Sequence, residues 1–467
     1  MAGKKIGKVY LVGCGPGLPD LLTTRALMAI RRADVVFYDR LVDPSILRYA
    51  IRAKKIYSGK QYEESGKQKR LNESLYLEAK RGKTVVRLKN GDPFIFGRGG
   101  EELQFLRERE IDVEVVPGLT SSTAVPSLIK IPLTQRGISS SLTILAGHKA
   151  GEKRRGWHNL GDTIVVLMVL ENLEDVVQQL IRAGKKNTTP CALISNGATK
   201  NERTAVSRLS SIADFSKRLD MKAPAILVVG MVVNSLLDVK GRTVVAFRTR
   251  GEIKRTEEII CRAGGRPKIF EIVEIVPAEK RLKRFASKKW DTLIFMSASG
   301  VRSAVKLFDL RKYRLVAVGG TTRNELRLWV NKHVFVPQVQ NIDGVKELLR
   351  GKKWGRILAF RSHLAEEKLK GATNVGAYQV IPKNLEASVR AYMRMRSDIT
   401  ILTSSGLLRY LLGTAKKLSM EEKFLKKMNQ SFIISLGKWI TKAATENGVQ
   451  INHEPAAPTI ESFIISH

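Results

Sequence analysis

The residues best suited to bind a ligand or take part in a reaction lie in one glycine-rich segment, Lys89–Glu102. This segment follows the apolar run Thr84–Leu88. Asp92 can accept hydrogen bonds from an ammonium group or a ribose. Arg98 is a fork-shaped donor suited to carboxylates, and Glu101 can open a helix just after the loop. A surface turn with solvated charges is the alternative. Because four glycines beside two aromatic residues cost much chain entropy, a ligand site is favoured over a mere connection.

A second glycine-rich loop, Gly13–Gly17, follows the apolar run Val9–Val12. It does not match the dinucleotide-binding pattern G-x-G-x-x-G, because Leu18 occupies the third glycine position. Pro16 also removes a backbone donor from any phosphate cradle. The glycines predict a tight loop that allows close backbone approach. Taken alone, a structural turn is the better interpretation of this segment.

Cysteine and histidine usage argues against metal and disulfide chemistry. Cys14, Cys191 and Cys261 are far apart, and the chain has only six histidines. We therefore predict neither a zinc site nor a disulfide framework. No apolar run approaches the roughly 18 residues of a membrane span, and the first residues lack a signal-peptide core. These features predict a cytoplasmic protein without a membrane partner.

The charge is unusual, with 81 basic against 44 acidic residues and a formal net charge of +37. Such a field attracts polyanions, either nucleic acid or a small polycarboxylate. However, the basic residues are dispersed and form no long tail, so a general bias toward lysine and arginine is at least as good an explanation. We expect no nucleic-acid partner.

These loops need a scaffold, and apolar runs alternate with helical patterns along the first half of the chain. The helical stretches place apolar residues three and four positions apart, as in Leu103–Leu106 and Val176–Ile181. This alternation predicts an α/β architecture. The apolar runs are Val9–Val12, Val35–Tyr38, Thr84–Leu88, Val113–Val116, Leu142–Leu145, Ile164–Leu170 and Ala225–Val229.

A second series of apolar runs starts at Val244–Phe247 and continues to Phe432–Ser435. The short break between the two series ends in Lys240-Gly241-Arg242. We therefore place a domain boundary near residue 239 and predict domains of residues 1–239 and 240–467.

The second half repeats a pattern of its own. The segment Phe295–Val301 is echoed by Leu402–Leu407, which indicates two similar α/β lobes. Pro277 and Pro382 fall where extended crossings between the lobes are expected. The predicted lobes are residues 240–276 plus 383–467 and residues 277–382, with approximate limits.

Five segments of the first half occur in the order found in the uroporphyrinogen-III C-methyltransferases of the tetrapyrrole methylase family, which residues 6–235 resemble. The resemblance implies two α/β lobes with the cofactor S-adenosyl-L-methionine folded between them. It further implies methylation of uroporphyrinogen III at C2 and C7 to precorrin-2, and a homodimer. The segments are Gly13–Gly17, Tyr38–Val42, Gly91–Glu101, Val116–Ser121 and Ile131–Gly137.

The same resemblance implies roles for individual residues. Asp39 and Lys60 match positions that the family uses to handle protons. Arg98 and Glu101 match residues that hold and activate the tetrapyrrole, and Arg136 joins Arg98 in binding it. The implied cofactor-binding residues are Pro16, Asn90, Gly91, Asp92, Ile95, Thr120, Ser121, Met168 and Gly197.

Two positions depart from the family pattern. Gln135 stands where histidine is usual, and Asn90 replaces a usual glycine, although asparagine tolerates positive φ better than most residues. Without the resemblance, Asp39 would be assigned to a helix cap or turn, and Met168 to the apolar core.

The second half resembles uroporphyrinogen-III synthase, with paired serine-rich turns at Met296–Val301 and Leu402–Gly406. This implies a second two-lobed α/β fold and cyclisation of hydroxymethylbilane to uroporphyrinogen III. Thr322 is the candidate for binding a substrate carboxylate, with a turn or helix-capping hydroxyl as the alternative. Gly320 stands where proline is common, and Tyr378 comes earlier than the usual tyrosine.

The sequence thus predicts a bifunctional enzyme of tetrapyrrole biosynthesis. One alternative keeps the methylase fold but changes the substrate to another corrinoid precursor. Another treats the second half as a non-catalytic binding module. A nucleic-acid binder is the remaining alternative, and it rests on charge alone.

Overall fold

The computed structural model describes residues 6–58, 67–147, 157–351, 353–365, 367–455 and 459–464. The chain packs into two compact units, one of Met1–Lys240 with Phe432–His467 and one of Gly241–Ser431. Strands and helices alternate in both, which confirms the predicted α/β class. Among the described residues, no helix is long and apolar enough to cross a membrane.

The first unit begins with a sheet of five parallel strands in the order β3-β2-β4-β1-β5. Its carboxyl ends therefore share one edge. The strands are β1 (Lys8–Gly13), β2 (Val35–Tyr38), β3 (Lys54–Tyr57), β4 (Val85–Lys89) and β5 (Asp112–Val116). The accompanying helices are α1 (Thr24–Arg32), α2 (Lys67–Lys80), α3 (Gly99–Arg107) and α4 (Ser121–Leu128).

All five residues of β4 are buried, as is typical of a central strand covered on both faces. On one face, Leu88 belongs to the apolar cluster beneath α1. On the other face, Val85 packs in a cluster with Leu75 of α2. Because side chains alternate along a strand, Arg87 and Lys89 share the face of Val85. Two cations therefore continue an apolar core toward the carboxyl edge.

The second sheet of this unit has the order β6-β7-β10-β8-β9. Since β10 is antiparallel to both β7 and β8, these two strands run in the same direction. The strands are β6 (Leu142–Ala146), β7 (Thr163–Leu167), β8 (Pro190–Ser195), β9 (Arg203–Arg208) and β10 (Ala225–Val229). Helices α5 (Leu173–Arg182) and α6 (Ile212–Arg218) lie between them in the chain.

Helix α4 connects the two sheets of the first unit. It follows β5 of the first sheet, while its residue Val125 packs with Val165, Ile194 and Val228 of the second. The apolar face of α4 thus fixes one sheet against the other.

The second unit contains strands in the order β15-β14-β13-β16-β17-β12-β11-β18. Strands β12 and β17 are the longest and pair antiparallel, whereas the other pairs are parallel. Pro277 and Pro382 end these two strands, where the sequence predicts lobe crossings. The strands are β11 (Thr243–Thr249), β12 (Arg266–Pro277), β13 (Thr292–Phe295), β14 (Arg314–Ala317), β15 (Val334–Phe335), β16 (Ile357–Ser362), β17 (Thr373–Pro382) and β18 (Ile399–Leu402).

Eight α-helices accompany these strands in the part of this unit that the structure describes. Two of them, α9 and α13, follow the serine-rich turns after β13 and β18. The helices are α7 (Arg250–Arg262), α8 (Glu279–Ala286), α9 (Ala298–Ala304), α10 (Gly320–Arg327), α11 (Ile342–Leu349), α12 (Leu385–Arg394), α13 (Ser405–Lys417) and α14 (Glu421–Asn429).

The last part of the chain packs in the first unit. It contains β19 (Phe432–Ser435), α15 (Lys438–Glu446) and a short extended stretch at His453 that bridges to both Val206 of β9 and Ile434. The Val206 amide donates to Asn452 O at 2.6 Å. The sequence assigns residues 383–467 to one lobe of the second half. The limits of the functional domains therefore stay a prediction.

Candidate active site

Three loops meet at the carboxyl edge of the first sheet, because β4, β1 and β5 are neighbours there. Gly91 and Gly15 exchange backbone hydrogen bonds of 2.8 and 3.3 Å. A Cβ on Gly118 would lie 2.3 Å from Gly91 O, and one on Gly13 would lie 2.6 Å from Gly118 N. Only glycine allows this approach. The loop that looks like a simple turn in the sequence is thus part of a cradle.

Asp92 and Asn90 hold the cradle together. Asp92 Oδ2 accepts from Gly118 N at 3.1 Å, and its Oδ1 accepts from Phe94 N at 2.9 Å. In the amide orientation that suits its neighbours, Asn90 donates to Leu41 O at 3.2 Å and to Gly15 O at 3.1 Å. Positive φ falls on Gly91, at 72°, rather than on Asn90. The asparagine that stands in place of the usual glycine thus connects the loops through its side-chain amide.

Thr120 and Ser121 start α4 beside the cradle. A Cβ on the buried Gly91 would lie in van der Waals contact with this segment, 3.8 Å from Thr120 Cα and 3.9 Å from Ser121 N. The Thr120 hydroxyl lies 3.0 Å from the Ser122 hydroxyl. Ile95 is exposed on the loop after Asp92. Backbone groups and hydroxyls therefore meet at the cradle, and the exposed Ile95 lies on the loop that leads away from it.

The second sheet brings the other predicted cofactor residues to a shared edge. Met168 follows β7 and Gly197 follows β8, and these strands are two strand spacings apart, roughly 9.5 Å. Pro16 is buried in its loop, and a Cβ on the next residue, Gly17, would lie 2.9 Å from Ala198 O. The loop after β1 therefore contacts the loop after β8. Each cofactor assignment stays a prediction at the residue level.

Met168 has a strained backbone. Its φ is +53° and its side chain is 43% exposed, although it follows a fully buried strand. A non-glycine residue in the left-handed region is unfavourable, and such residues concentrate at functional sites. The exposed thioether supports a ligand contact rather than the core position that its apolar run suggests.

Arg98 and Glu101 pair with each other at the start of α3. Arg98 Nε and Nη2 donate to the two carboxylate oxygens at 2.9 and 2.7 Å, and the side chains are 59% and 55% exposed. The hydrogen bond from Arg98 lowers the pKa of Glu101. Glu101 is therefore ionised, and the pair presents both charges to solvent.

Arg136 is exposed on the loop between α4 and β6. Gln135 and Ser139 form an antiparallel bridge around it, with reciprocal bonds of 2.9 Å. Asp162 accepts from the amides of Ser140 and Ser141 at 2.8 and 3.2 Å. Within the described residues, no hydrogen bond or ion pair joins Arg136 to Arg98. The two arginines stand on separate, anchored loops.

Asp39 follows β2, and a group of charges not singled out by the sequence holds it. Arg87 Nη2 donates to both Asp39 oxygens at 2.7 Å, and its Nε donates to Glu102 at 3.3 Å. Lys89 Nζ donates to the two Glu102 oxygens at 3.0 and 2.9 Å. In the sequence, this cluster could have been recognised from two cations, Arg87 and Lys89, at alternate positions of an otherwise apolar strand. The other predicted proton-handling residue, Lys60, lies outside the described residues.

Hydroxyl groups characterise the turns of the second unit. Ser297 caps α9 by accepting from Gly300 N at 3.1 Å, and its hydroxyl lies 2.9 Å from Tyr378 Oη. Thr403, after β18, donates to Phe247 O at 3.1 Å. Thr322 is only 4% exposed in the first turn of α10. Its predicted contact with a substrate carboxylate stays a prediction that its burial does not favour.

Comparisons with known proteins match each half of the chain to a protein family. Residues 8–213 match the family model of tetrapyrrole (corrin/porphyrin) methylases, and residues 254–465 match that of uroporphyrinogen-III synthase HemD. The uroporphyrinogen-III C-methyltransferase of Methanocaldococcus jannaschii is 46% identical over 237 residues, covering 49% of this chain and 98% of that protein. The enzyme of that name from Priestia megaterium is 45% identical over 237 residues, covering 49% and 99%.

A solved structure of the Thermus thermophilus uroporphyrin-III C-methyltransferase, complexed with S-adenyl homocysteine, is 36% identical. The match covers 49% of this chain and 100% of that one, with a TM-score of 0.44. The family matches confirm both resemblances drawn from the sequence. The chain belongs to the tetrapyrrole (corrin/porphyrin) methylase family and carries, after its methylase half, a uroporphyrinogen-III synthase domain of the HemD type.

Proposed function

We propose that the first half transfers methyl groups from S-adenosyl-L-methionine to C2 and C7 of uroporphyrinogen III, giving precorrin-2. The second half makes the substrate for this reaction by cyclising hydroxymethylbilane to uroporphyrinogen III. The observation that carries the proposal is the glycine cradle with the Arg98–Glu101 pair at one sheet edge. The near full-length match to C-methyltransferases supports the choice of macrocycle.

The residues at this edge fit the proposed cofactor. Gly91 lies against Thr120 and Ser121, so the loops after β4 and β5 form one continuous wall for the proposed cofactor. The Thr120 and Ser121 groups suit the polar parts of the cofactor, while Met168 and Ile95 suit its apolar surface. When bound, S-adenosyl-L-methionine supplies an electrophilic methyl group. Asp92 contributes by keeping the loops after β4 and β5 together through Gly118 N.

Arginine side chains account for binding of the macrocycle. Uroporphyrinogen carries carboxylates around its rim, and guanidinium groups bind carboxylates through paired donors. Glu101 occupies the Nε and Nη2 groups of Arg98, which leaves Nη1 available for a substrate carboxylate. Arg136 stands exposed on its own loop and offers a second contact. Orientation of the macrocycle is then the main contribution of these residues.

Attack of a pyrrole carbon on the methyl group leaves positive charge on the macrocycle, and loss of a proton from another position of the macrocycle then requires a base. Glu101 is held ionised by Arg98, and Asp39 is held by Arg87, so both can accept a proton or stabilise positive charge on the macrocycle. We assign Asp39, Lys60, Arg98 and Glu101 as the catalytic residues. No covalent intermediate on the protein is needed.

In the second half, loss of the hydroxyl from hydroxymethylbilane gives an electrophilic azafulvene that closes with inversion of ring D. Hydroxyl groups such as those of Ser297, which follows β13, and Tyr378 of β17 can hydrogen-bond substrate carboxylates without fixed charge. Conformational control of the chain of pyrroles is the main requirement. Thr322 is retained as a proposed substrate contact.

One assay tests both activities. Purified protein receives hydroxymethylbilane and S-adenosyl-L-methionine, and products are followed by absorbance and mass. We expect a dimethylated type-III product. Methylation that requires preformed uroporphyrinogen III would leave a methyltransferase with a non-catalytic second module. Absence of methylation from either substrate would refute the main proposal.

We extend the proposal to assembly and location. The family resemblance supports a homodimer formed through the methyltransferase half, located in the cytoplasm and acting on small tetrapyrroles without nucleic-acid or membrane partners. Light scattering after size exclusion should give twice the mass of 52.1 kDa. A monomer mass at working concentration would contradict the assembly.

A further inference from the structure

A layer of buried charge lies directly beneath the proposed methyltransferase site. It occupies the carboxyl end of the sheet face that is otherwise packed with apolar residues against α2 and α3. Arg87 and Lys89 extend from β4, Glu102 from α3 and Asp39 from the end of β2. The proposed mechanism uses Asp39 but leaves Arg87, Lys89 and Glu102 without a role.

The layer is balanced and almost entirely enclosed. Its two cations face two carboxylates, and side-chain exposure is 4% for Arg87, 5% for Lys89 and 0% for Glu102. Asp39 is 36% exposed, so the group opens to solvent there. Buried ion pairs contribute little net stability compared with apolar packing, so stability alone does not explain their presence.

Arg87 is the member that joins the enclosed part to Asp39. Its Nη2 contacts both Asp39 oxygens, its Nε contacts Glu102, and its Nη1 lies 3.0 Å from Ser58 Oγ. The Ser58 hydroxyl also lies 3.1 Å from Asp39 Oδ1. Burial opposes the charge on Arg87, yet Glu102 and Asp39 outweigh it and raise the arginine pKa. The guanidinium is therefore permanently charged and held from several sides.

Strand pairing makes this arrangement rigid. Phe37 of β2 lies opposite Arg87 of β4. Asp39 is the first residue after β2, so strand pairing places its carboxylate close to the arginine. Gln68 of α2 donates to Glu102 at 3.1 Å and to Asn72 at 2.9 Å, which fixes the carboxylate from a second helix. A carboxylate on a loop end is thereby oriented by strands and helices.

We propose that Arg87, anchored by Glu102 and Lys89, is a positioning residue that aims the Asp39 carboxylate at the bound macrocycle during methyl transfer. The inference rests on the proposed function, since it requires Asp39 to act on the tetrapyrrole. Arg87 itself contacts neither substrate nor cofactor. Its loss should therefore lower kcat for methylation without weakening substrate or cofactor binding, because misplacement of a reacting group costs rate rather than affinity.

The test is a double-mutant cycle of Arg87→Met and Asp39→Asn in the full chain. Methylation of uroporphyrinogen III gives kcat and KM, and calorimetry gives Kd for S-adenosylhomocysteine. We expect each single variant to lower kcat about 100-fold, with KM and Kd little changed. The double variant should be no slower than Asp39→Asn alone. If the kcat of the double variant falls by the product of the two single losses, the proposal is overturned.

Arg87→Met leaves Glu102 partly uncompensated, so Arg87→Lys provides a milder variant. Lysine keeps the charge but cannot bridge Asp39 and Glu102 at once. We expect kcat about 10-fold below wild type, with S-adenosylhomocysteine still binding as evidence of folding. Wild-type kcat in this variant would overturn the proposal. Arg107→Met, which removes an exposed arginine from the last turn of α3, is the matched control and should leave kcat unchanged.

The Asp39→Asn variant separates two kinds of failure. If it keeps wild-type kcat, Asp39 is not catalytic and the positioning proposal fails, while methylation by the wild-type chain still supports the proposed function. If the wild-type chain methylates no tetrapyrrole, the proposed function itself fails.

Discussion

Parallel strands of the two units end in chemically different turns. At the edge of the first sheet, Arg98 pairs with Glu101, and Arg87 with Asp39 and Glu102. After β13 in the second unit, the corresponding groups are hydroxyls, with Ser297 Oγ 2.9 Å from Tyr378 Oη. In the proposed methyl transfer, charged groups bind the carboxylates of the macrocycle and accept the proton that the methylated macrocycle loses. The proposed cyclisation of a flexible bilane depends mainly on control of its conformation, to which hydroxyl donors at the second edge can contribute.

The largest effect should come from removing the exposed charge of the first edge. Arg98→Ala should lower kcat/KM for uroporphyrinogen methylation about 1,000-fold, because the Nη1 donor to a substrate carboxylate is lost and Glu101 is left unpaired. Calorimetry should show unchanged binding of S-adenosylhomocysteine. Loss of cofactor binding would instead refute the role of Arg98 in holding the macrocycle. Arg107→Ala on the same helix is the control.

The buried charge should matter for stability as well. Glu102→Gln leaves the enclosed Lys89 without a carboxylate and Arg87 with Asp39 alone, and it should lower the free energy of unfolding by about 3 kcal/mol. Urea unfolding followed by circular dichroism measures this change. Glu101→Gln alters the neighbouring exposed carboxylate and should change the free energy by less than about 0.5 kcal/mol. Equal effects from both variants would contradict a special role for the enclosed layer.

A third contrast concerns His453 in the last part of the chain, which burial keeps in its neutral form. Burial lowers the pKa of His453 from 6.5 to about 4, while its Nδ1 donates to Val206 O at 2.8 Å. The unfolded chain therefore binds the proton more readily than the folded one. Stability should be complete above pH 6.5 and fall toward pH 4, by about 3 kcal/mol in total.

The pH dependence of the melting temperature tests this contribution. His453→Asn should flatten the profile between pH 4 and 6.5, because asparagine keeps a donor for Val206 but does not titrate. The exposed His333→Asn is the matched control and should leave the profile as in wild type. An unchanged slope in His453→Asn would show that other groups dominate the acid sensitivity.

The smallest effect should come from the hydroxyl pair of the second unit. Burial raises the pKa of Tyr378, so its phenol stays neutral and bonds with Ser297. Tyr378→Phe should cost about 1 kcal/mol of stability and reduce cyclisation only modestly. Urea unfolding and a bilane cyclisation assay measure the two changes. A loss of cyclisation as large as that of methylation in Arg98→Ala would erase the contrast between the edges.

Apolar patterns in the sequence located most strands of the first unit. Val35–Tyr38 and Ala225–Val229 match β2 and β10 residue for residue. The run Ile164–Leu170 extends beyond β7, which ends at Leu167, because Met168 turns the backbone into the left-handed region. Strands β3 and β9 lie at sheet edges, where mixed polar and apolar residues suffice, and so leave no apolar run. The apolar runs therefore located the edge strands β5 and β6 but missed β3 and β9, and they also missed the central strand β8.

The sequence by itself determined the families, the α/β class and the glycine loop that carries Arg98 and Glu101, since these depend on residue types close together in the chain. The tertiary structure decided which distant groups meet. Asp39 finds Arg87 48 residues away, and His453 reaches Val206 247 residues away. Local patterns do not encode such pairs, because they form only when strand order and burial bring the segments together. The buried charge beneath the site is for that reason a property of the fold.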